Sequence, residues 1–301
     1  MRQAKPFLKW AGGKTQLLND IDNNLPPGIK VKGIINYYEP FLGSAAVFLY
    51  LKQKYNIENA FLSDINPNLI STFLIVRNHK NKLIKELKAL DKEFKQKKFE
   101  QRKLYYNNKR DEFNRLLKSH SRNNVHDSVK KAALTIFLNK TCFNGLYRVN
   151  KSGRFNVPLG RYENPKIVDE ENLLSVSEAL QNVVLEVRDF KTLPNVVKKN
   201  SFIYYDPPYS PLNKTSNFTS YSEFEFSLKE QKELSDIYGI LDKKGVKQLL
   251  SNSDLKNHNS QNEFLDSLYS KFTIKRIPAS RVINSKASKR GKISEILVRN
   301  Y

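Results

Sequence analysis

The chain has a single cysteine, Cys142, which excludes an internal disulfide and any multi-cysteine metal site. Its four histidines, His79, His120, His126 and His258, are scattered without ligand spacing, so no metal centre is expected. No apolar run approaches the length of a membrane span. The opening stretch MRQAKPFLKW lacks the apolar core of a secretion signal. These absences point to a soluble, cytoplasmic protein. Internal repeats and low-complexity tracts are also missing. Acidic residues are scarce, with 30 Asp and Glu against 52 Lys and Arg, a net charge of +22. Such an excess suits a polyanionic partner, because each neutralised phosphate releases counterions and strengthens binding. The competing explanation is a lysine-rich compositional bias, in keeping with the abundant Asn and Ile.

What is present is enough for a folded protein. The 301 residues can hold one large domain or two ordinary ones, and 18 Phe with 15 Tyr argue against disorder. Half of the net charge lies in residues 77–131, which carry 18 basic and 7 acidic residues and neither proline nor glycine. Leu83, Leu87, Leu90 and Phe94 recur there at helical spacing, so the segment reads as basic helices. On either side the pattern is different. Residues 1–68 alternate short apolar runs (Ile34 to Tyr38, Ala60 to Ser63) with helix-like segments. From 164 to 301 strand-like runs return at Val183–Val187, Phe202–Tyr205, Lys247–Ser251 and Glu295–Val298. The simplest account is an α/β sheet with a helical region, residues 69–163, inserted into it.

Asp206-Pro207-Pro208-Tyr209 follows the apolar run Phe202–Tyr205 directly. Two prolines cannot continue a ladder, so the strand ends there with a carboxylate, a stiff carbonyl and an aromatic ring at its carboxyl edge. In open α/β sheets that edge binds ligands, and this trio suits a flat amine-bearing ring. Read blandly, it is only a Pro-Pro turn. Glu39-Pro40-Phe41-Leu42-Gly43-Ser44 forms a second strand-to-helix turn, a weak signal by itself. Asp64 ends the next strand and could accept from a ribose hydroxyl, or could simply cap a helix in Asp64-Ile65-Asn66-Pro67. Phe7-Leu8-Lys9-Trp10-Ala11-Gly12-Gly13-Lys14 adds paired glycines, a stacking face and a cation able to meet a carboxylate. Its alternative is an N-terminal segment anchored in the core by the only tryptophan.

Taken in order, KWAGGK, EPFLGS, Asp64-Ile-Asn, a helical insert and DPPY resemble the DNA adenine-N6 methyltransferases of the D12 class. The resemblance covers the whole chain and is nearest to the Dam and DpnM type, which methylates adenine in GATC. Segments Asn144–Arg148, Phe155–Tyr162, Thr215–Tyr221 and Arg290–Ile296 carry that closer likeness. It implies a Rossmann-like class I methyltransferase sheet, residues 1–68 and 164–301, that binds S-adenosylmethionine and carries the catalytic site. Residues 69–163 would form a helical target-recognition domain with a hairpin. Trp10, Lys14, Asp64 and Asp206 match the cofactor contacts, with Glu39, Phe41, Gly43 and Ser44 in the turn around its methionine portion. Asp189 and Phe190 match the border of the cofactor's adenine. Asp206, the Pro207 carbonyl and Tyr209 match the pocket for a flipped target adenine. Lys9, Asn144, Leu146, Arg148 and Pro158 match the positions that read GATC, and Phe143 a wedge into the vacated space. Near the Gly43 turn, at Leu42-Gly43-Ser44-Ala45-Ala46, relatives often carry another glycine. The implied partner is double-stranded DNA containing GATC, bound by a monomer in the cytoplasm at the nucleoid. No metal is implied, and a cognate restriction endonuclease stays open.

The chemistry stands without the family. The exocyclic amine of adenine is a poor nucleophile, and the duplex buries it, so the base must leave the stack. Acceptors at Asp206 and the Pro207 carbonyl would hold both N6 protons and aim the nitrogen lone pair at a sulfonium methyl. Stacking on Tyr209 would offset the cost of unstacking. Arg148 suits a guanine edge, and Leu146 and Pro158 suit a thymine methyl. Asn150-Lys151-Ser152-Gly153 between two strand-like pieces suggests a hairpin in the major groove. Cys142 reads as a small buried residue rather than a nucleophile. Two rival functions remain at this level: an RNA adenine-N6 methyltransferase and a non-enzymatic DNA-binding regulator.

Overall fold

The computed structural model of the protein describes residues 3–31, 34–118, 124–209, 226–257, 259–280 and 292–301. Seven strands form one sheet in the order β3-β2-β1-β4-β5-β7-β6. They are β1 (Asn36–Glu39), β2 (Asn59–Asp64), β3 (Val183–Val187), β4 (Ser201–Tyr205), β5 (Lys247–Ser253), β6 (Thr273–Ser280) and β7 (Lys292–Arg299). All neighbours from β3 across to β5 are parallel, and β7 lies antiparallel between β5 and β6. This mixed, helix-flanked sheet is the α/β class expected of a class I methyltransferase. Along the chain run α1 (Leu18–Asn23), α2 (Pro27–Lys30), α3 (Ala46–Lys54), α4 (Pro67–Asn78), α5 (Lys80–Lys95), α6 (Phe99–Lys118) and α7 (Val125–Thr141). After them come α8 (Glu170–Ala179), α9 (Leu193–Val196), α10 (Leu228–Lys243) and α11 (Phe264–Leu268). Among the described residues no helix is long and apolar enough to cross a membrane.

Burial follows sheet position. The central strands β1 and β4 are buried at every residue, as strands covered on both faces must be. Side chains alternate between two cores. Tyr37, Phe202 and Tyr204 enter one, while Tyr38, Ile203 and Tyr205 enter the other. The first core runs on without a break into the basic helices, taking in Leu83, Leu87 and Phe94 of α5 and Phe137 of α7. Helix starts are chemically marked. Asn66, not Asp64, caps α4 by accepting from the amides of Asn68 and Leu69, and Pro67 takes the first helical position. Ser227 and Glu230 close a capping box on α10.

Two local readings differ from the sequence expectation. The run Ile34–Tyr38 is shifted, because β1 pairs regularly only from Asn36 onward. Strand β6 has no counterpart in the expected elements, since Pro278 within Thr273–Ser280 argues against a strand. It is tolerated because β6 is the sheet edge, where a missing N–H costs no ladder bond on the open side. The strand order reverses between β1 and β4, so the carboxyl ends of these strands flank the crevice of the sheet.

Candidate active site

The chain leaves β4 through the Asp206–Tyr209 turn. The Pro208 carbonyl accepts from Gln231 of α10 at 3.4 Å, and Gln231 accepts from buried Asn252 of β5 at 3.1 Å. Pro207 is buried, while Asp206 and Tyr209 are half-buried at the edge. Burial raises the Asp206 carboxyl above the usual carboxylate range, with Lys14 and Ser251 pulling the other way.

Lys14 reaches this edge from far upstream and is 2 % exposed. Its Nζ donates to Asp206 Oδ1 at 2.5 Å, to the Tyr209 hydroxyl at 2.7 Å and to the Gly12 carbonyl at 2.9 Å. The ammonium also lies 4.8 Å from the centroid of the Tyr209 ring. Burial works against its charge, but Asp206, Tyr204 and Glu295 outweigh it, so Lys14 is held as the cation.

Two more carboxylates, buried Glu39 and half-buried Asp64, sit on the neighbouring strand ends. Glu39, closing β1, accepts from the Tyr37 hydroxyl at 2.5 Å, and burial pushes its carboxyl up to about 8. Asp64, closing β2, accepts from the Gly43 amide at 3.2 Å and the Asn66 amide at 3.0 Å. Burial pushes it up to about 6, against the pull of those amides. Asp64 thus ties the Gly43 turn to the end of its own strand. Gly43 itself is at φ +48°, where a Cβ would lie 3.0 Å from Trp10 Cδ1, so both its conformation and its space call for glycine. Two residues on, Ala45 adopts φ 58° while wholly buried. A left-handed alanine costs about 1–2 kcal/mol. Ser44 is buried in the same turn. Trp10 is half-buried: it packs against the core, lies beside Gly43 and stacks on Tyr147, ring centroids 5.5 Å apart.

At the end of β3, Asp189 caps a short turn by accepting from the Lys191 amide at 3.0 Å. Buried Phe190 stands in a group of three rings with Phe41 (5.4 Å) and Phe226 (5.6 Å). Phe226 had no signal in the sequence, because nothing local marks a ring that meets its partners across the sheet edge. Acidic acceptors at the ends of β1, β2 and β4, with an aromatic wall beside them, suit a ligand carrying hydroxyl donors, positive charge and a flat ring. The residues present therefore fit a nucleoside-bearing cationic cofactor.

The residues expected from the sequence to read DNA form a second group, joined to the first through Trp10 and Tyr147. Buried Asn139, on the last turn of α7, pins it together. It accepts from the Lys9 amide at 2.7 Å and donates to the carbonyls of Lys9 (2.8 Å) and Gly145 (2.9 Å). A Cβ on Gly145, at φ +64°, would lie 2.7 Å from Lys9 Cβ. Lys9 Nζ lies 4.2 Å over the Tyr162 ring. Phe143 is 51 % exposed, and exposed Asn144 beside it has φ 55°. The Phe143 amide donates to the Pro158 carbonyl at 2.9 Å, which brings exposed Pro158 alongside. Leu146 is half-buried against the core. The hairpin is present as two antiparallel bridges, Cys142 with Leu159 and Val149 with Phe155, and not as regular strands. Across it, Arg148 Nε donates to Asn156 Oδ1 at 2.6 Å. Cys142 is wholly buried, and burial pushes its thiol up to about 12, which suits packing rather than nucleophilic attack. Asn139 and Tyr162 were not singled out from sequence. The segment 215–221 and residues Arg290 and Gly291 lie outside the described residues.

Residues 10–283 match the model of the D12 class N6 adenine-specific DNA methyltransferase. The type II methyltransferase M.MjaIII of Methanocaldococcus jannaschii is 49% identical over 300 residues, 99% of this chain and 100% of that protein. The type II methyltransferase M1.LlaDCHI of Lactococcus lactis subsp. cremoris is 37% identical over 99% of this chain and 95% of its own length. The DNA adenine methylase of Haemophilus influenzae is 34% identical over 97% and 92%. With its sheet, its acidic strand ends and its Asp-Pro-Pro-Tyr turn, the chain belongs to the D12 class N6 adenine-specific DNA methyltransferases.

Proposed function

We propose that the protein transfers a methyl group from S-adenosylmethionine to N6 of the adenine in GATC, within double-stranded DNA. The observation that carries this reading is the Lys14–Asp206–Tyr209 cluster at the crevice, with the carboxylates of Glu39 and Asp64 at the neighbouring strand ends. Trp10, Lys14, Glu39, Phe41, Gly43, Ser44, Asp64, Asp189, Phe190 and Asp206 would hold the cofactor, whose sulfonium supplies an electrophilic methyl group. Asp206 and the Pro207 carbonyl accept the two N6 protons of the flipped base and orient its lone pair. Tyr209 covers the ring face and keeps water out. Family membership favours this over action on RNA or a purely regulatory DNA-binding role.

Residues 69–163 act as the target-recognition domain, between the two parts of the cofactor-binding domain, 1–68 and 164–301. Lys9, Asn144, Leu146, Arg148 and Pro158 read the site, and Phe143 fills the space left by the base. Phe143 is suited to that role because an exposed ring beside a left-handed Asn144 costs apolar burial with no return in the fold. The protein works as a monomer on DNA in the cytoplasm. Because two relatives are type II methyltransferases, a cognate endonuclease at the same site is the protein partner this reading implies.

The test is methyl transfer from labelled cofactor to duplexes that differ only as GATC or GTTC. Labelling confined to GATC is expected. Equal labelling would sink the specificity, and no labelling of either would sink the cofactor and substrate assignment. Arg148→Ala should weaken discrimination at one guanine by about 1–3 kcal/mol, read from transfer rates on duplexes changed one base pair at a time. An unchanged profile would remove Arg148 from the reader.

A further inference from the structure

Glu295 of β7 has no part in the functions assigned above, yet it faces the same crevice. It pairs across the sheet with Ser253 of β5 and Ile277 of β6 and is only 9 % exposed. The Lys14 ammonium, the Asp206 carboxylate and the Tyr209 hydroxyl are the groups that act on its carboxylate. The Oε2 oxygen is buried without a hydrogen-bond partner and lies 3.8 Å from Lys14 Nζ. A buried carboxylate with an unpartnered oxygen costs stability, so its presence calls for an occupant that arrives at another stage. The occupant nearest to hand is the Lys14 ammonium.

Lys14 now sits on Asp206 Oδ1, and Asp206 is the acceptor that the adenine amine needs in the function proposed above, on which this inference rests. A cation left there also opposes the positive charge that develops on N6 as the methyl group arrives. We propose that Glu295 is a positioning residue acting through Lys14: its free oxygen takes the ammonium when the adenine amine claims Asp206. The Oε2 oxygen already faces the Lys14 ammonium across that gap. A shift of the ammonium by roughly 1 Å would bring it to ordinary ion-pair distance, about 2.7–2.9 Å. Asp206, Tyr204 and Glu39 are the other ionisable groups whose charges act within this cluster.

The experiment compares Glu295→Gln, which keeps the shape but loses the charge, with Glu295→Asp, which keeps the charge on a shorter arm. Single-turnover transfer to a GATC duplex is measured at saturating cofactor, with cofactor affinity and Tm followed separately. Glu295→Gln should slow transfer about tenfold, less than the roughly 10²–10³ of a direct electrostatic contact, with cofactor affinity and Tm held. Glu295→Asp should retain more of the rate than Glu295→Gln. A purely structural role predicts the reverse order, because glutamine preserves shape, and that order would overturn the proposal. Wild-type rates in Glu295→Gln would overturn it as well. The wild-type arm separates the two levels of argument: no labelling of GATC by the wild type is a failure of the proposed function, not of Glu295.

Discussion

Asp206→Ala is expected to abolish measurable methyl transfer while leaving the fold and most of the salt-dependent DNA affinity in place. Its carboxylate is the charged acceptor at the carboxyl end of β4, and removing one electrostatic contact to the reacting group costs about 10²–10³ in rate. Because the same carboxylate also orients the nucleophilic nitrogen, the loss should reach or exceed the upper figure. Stability is the competing concern, since removing one partner of a buried ion pair strands the other. Here the stranding is partial. Lys14 keeps the Gly12 carbonyl at 2.9 Å and the Tyr209 hydroxyl at 2.7 Å, and Glu295 lies 3.8 Å away. DNA affinity rests on a different part of the chain, because half of the net charge belongs to residues 77–131. The slope of binding against salt, which counts neutralised phosphates, should therefore be nearly that of the wild type. Asp206→Asn serves as the control for shape, with the same order of loss expected. Near-normal turnover in either variant would take Asp206 out of the mechanism.

The difference between what the chain's pattern reveals and what it conceals has a physical basis. Strand β3 was legible residue for residue, as an apolar run bounded by turn formers, and β4 was legible because two prolines must end it. The turns at Gly43 and Asp206 were legible as well, since backbone geometry there restricts the residue type. The partnership of Lys14 with Asp206 was not, because it joins positions 192 residues apart through a contact that leaves no local trace. Asn139 and Glu295 were hidden for a related reason. A polar residue near a helix end or within an edge-side strand reads as solvated until packing shows it buried. Ala45 was hidden differently: its left-handed backbone is imposed by the turn against its own preference, so composition points away from it.

Glu39→Gln should flatten the dependence of stability on pH between about 4.5 and 8. In the folded protein burial pushes the Glu39 carboxyl up to about 8, from an ordinary value of 4.5, with Asp206 adding to the rise and the Tyr37 hydroxyl and Phe48 amide opposing it. The folded state therefore holds this proton over a range in which the unfolded chain has released it. Below 4.5 both states are protonated and the group's contribution is fully present. As pH climbs toward 8 the unfolded chain gains a solvated carboxylate that the folded one cannot match, and stability falls by up to about 5 kcal/mol. Glutamine does not titrate, so this slope should vanish in the variant. The absolute position of its curve is less informative, because an amide cannot accept equally from the Tyr37 hydroxyl and the Phe48 amide. Denaturant unfolding of both proteins at pH 4.5, 6 and 8 reads the difference directly. Parallel curves would mean that Glu39 is ionised in the folded protein at neutral pH. A widening gap in favour of Glu39→Gln would mean that the crevice holds a neutral acid there, a carboxyl that can ionise when a cationic cofactor enters.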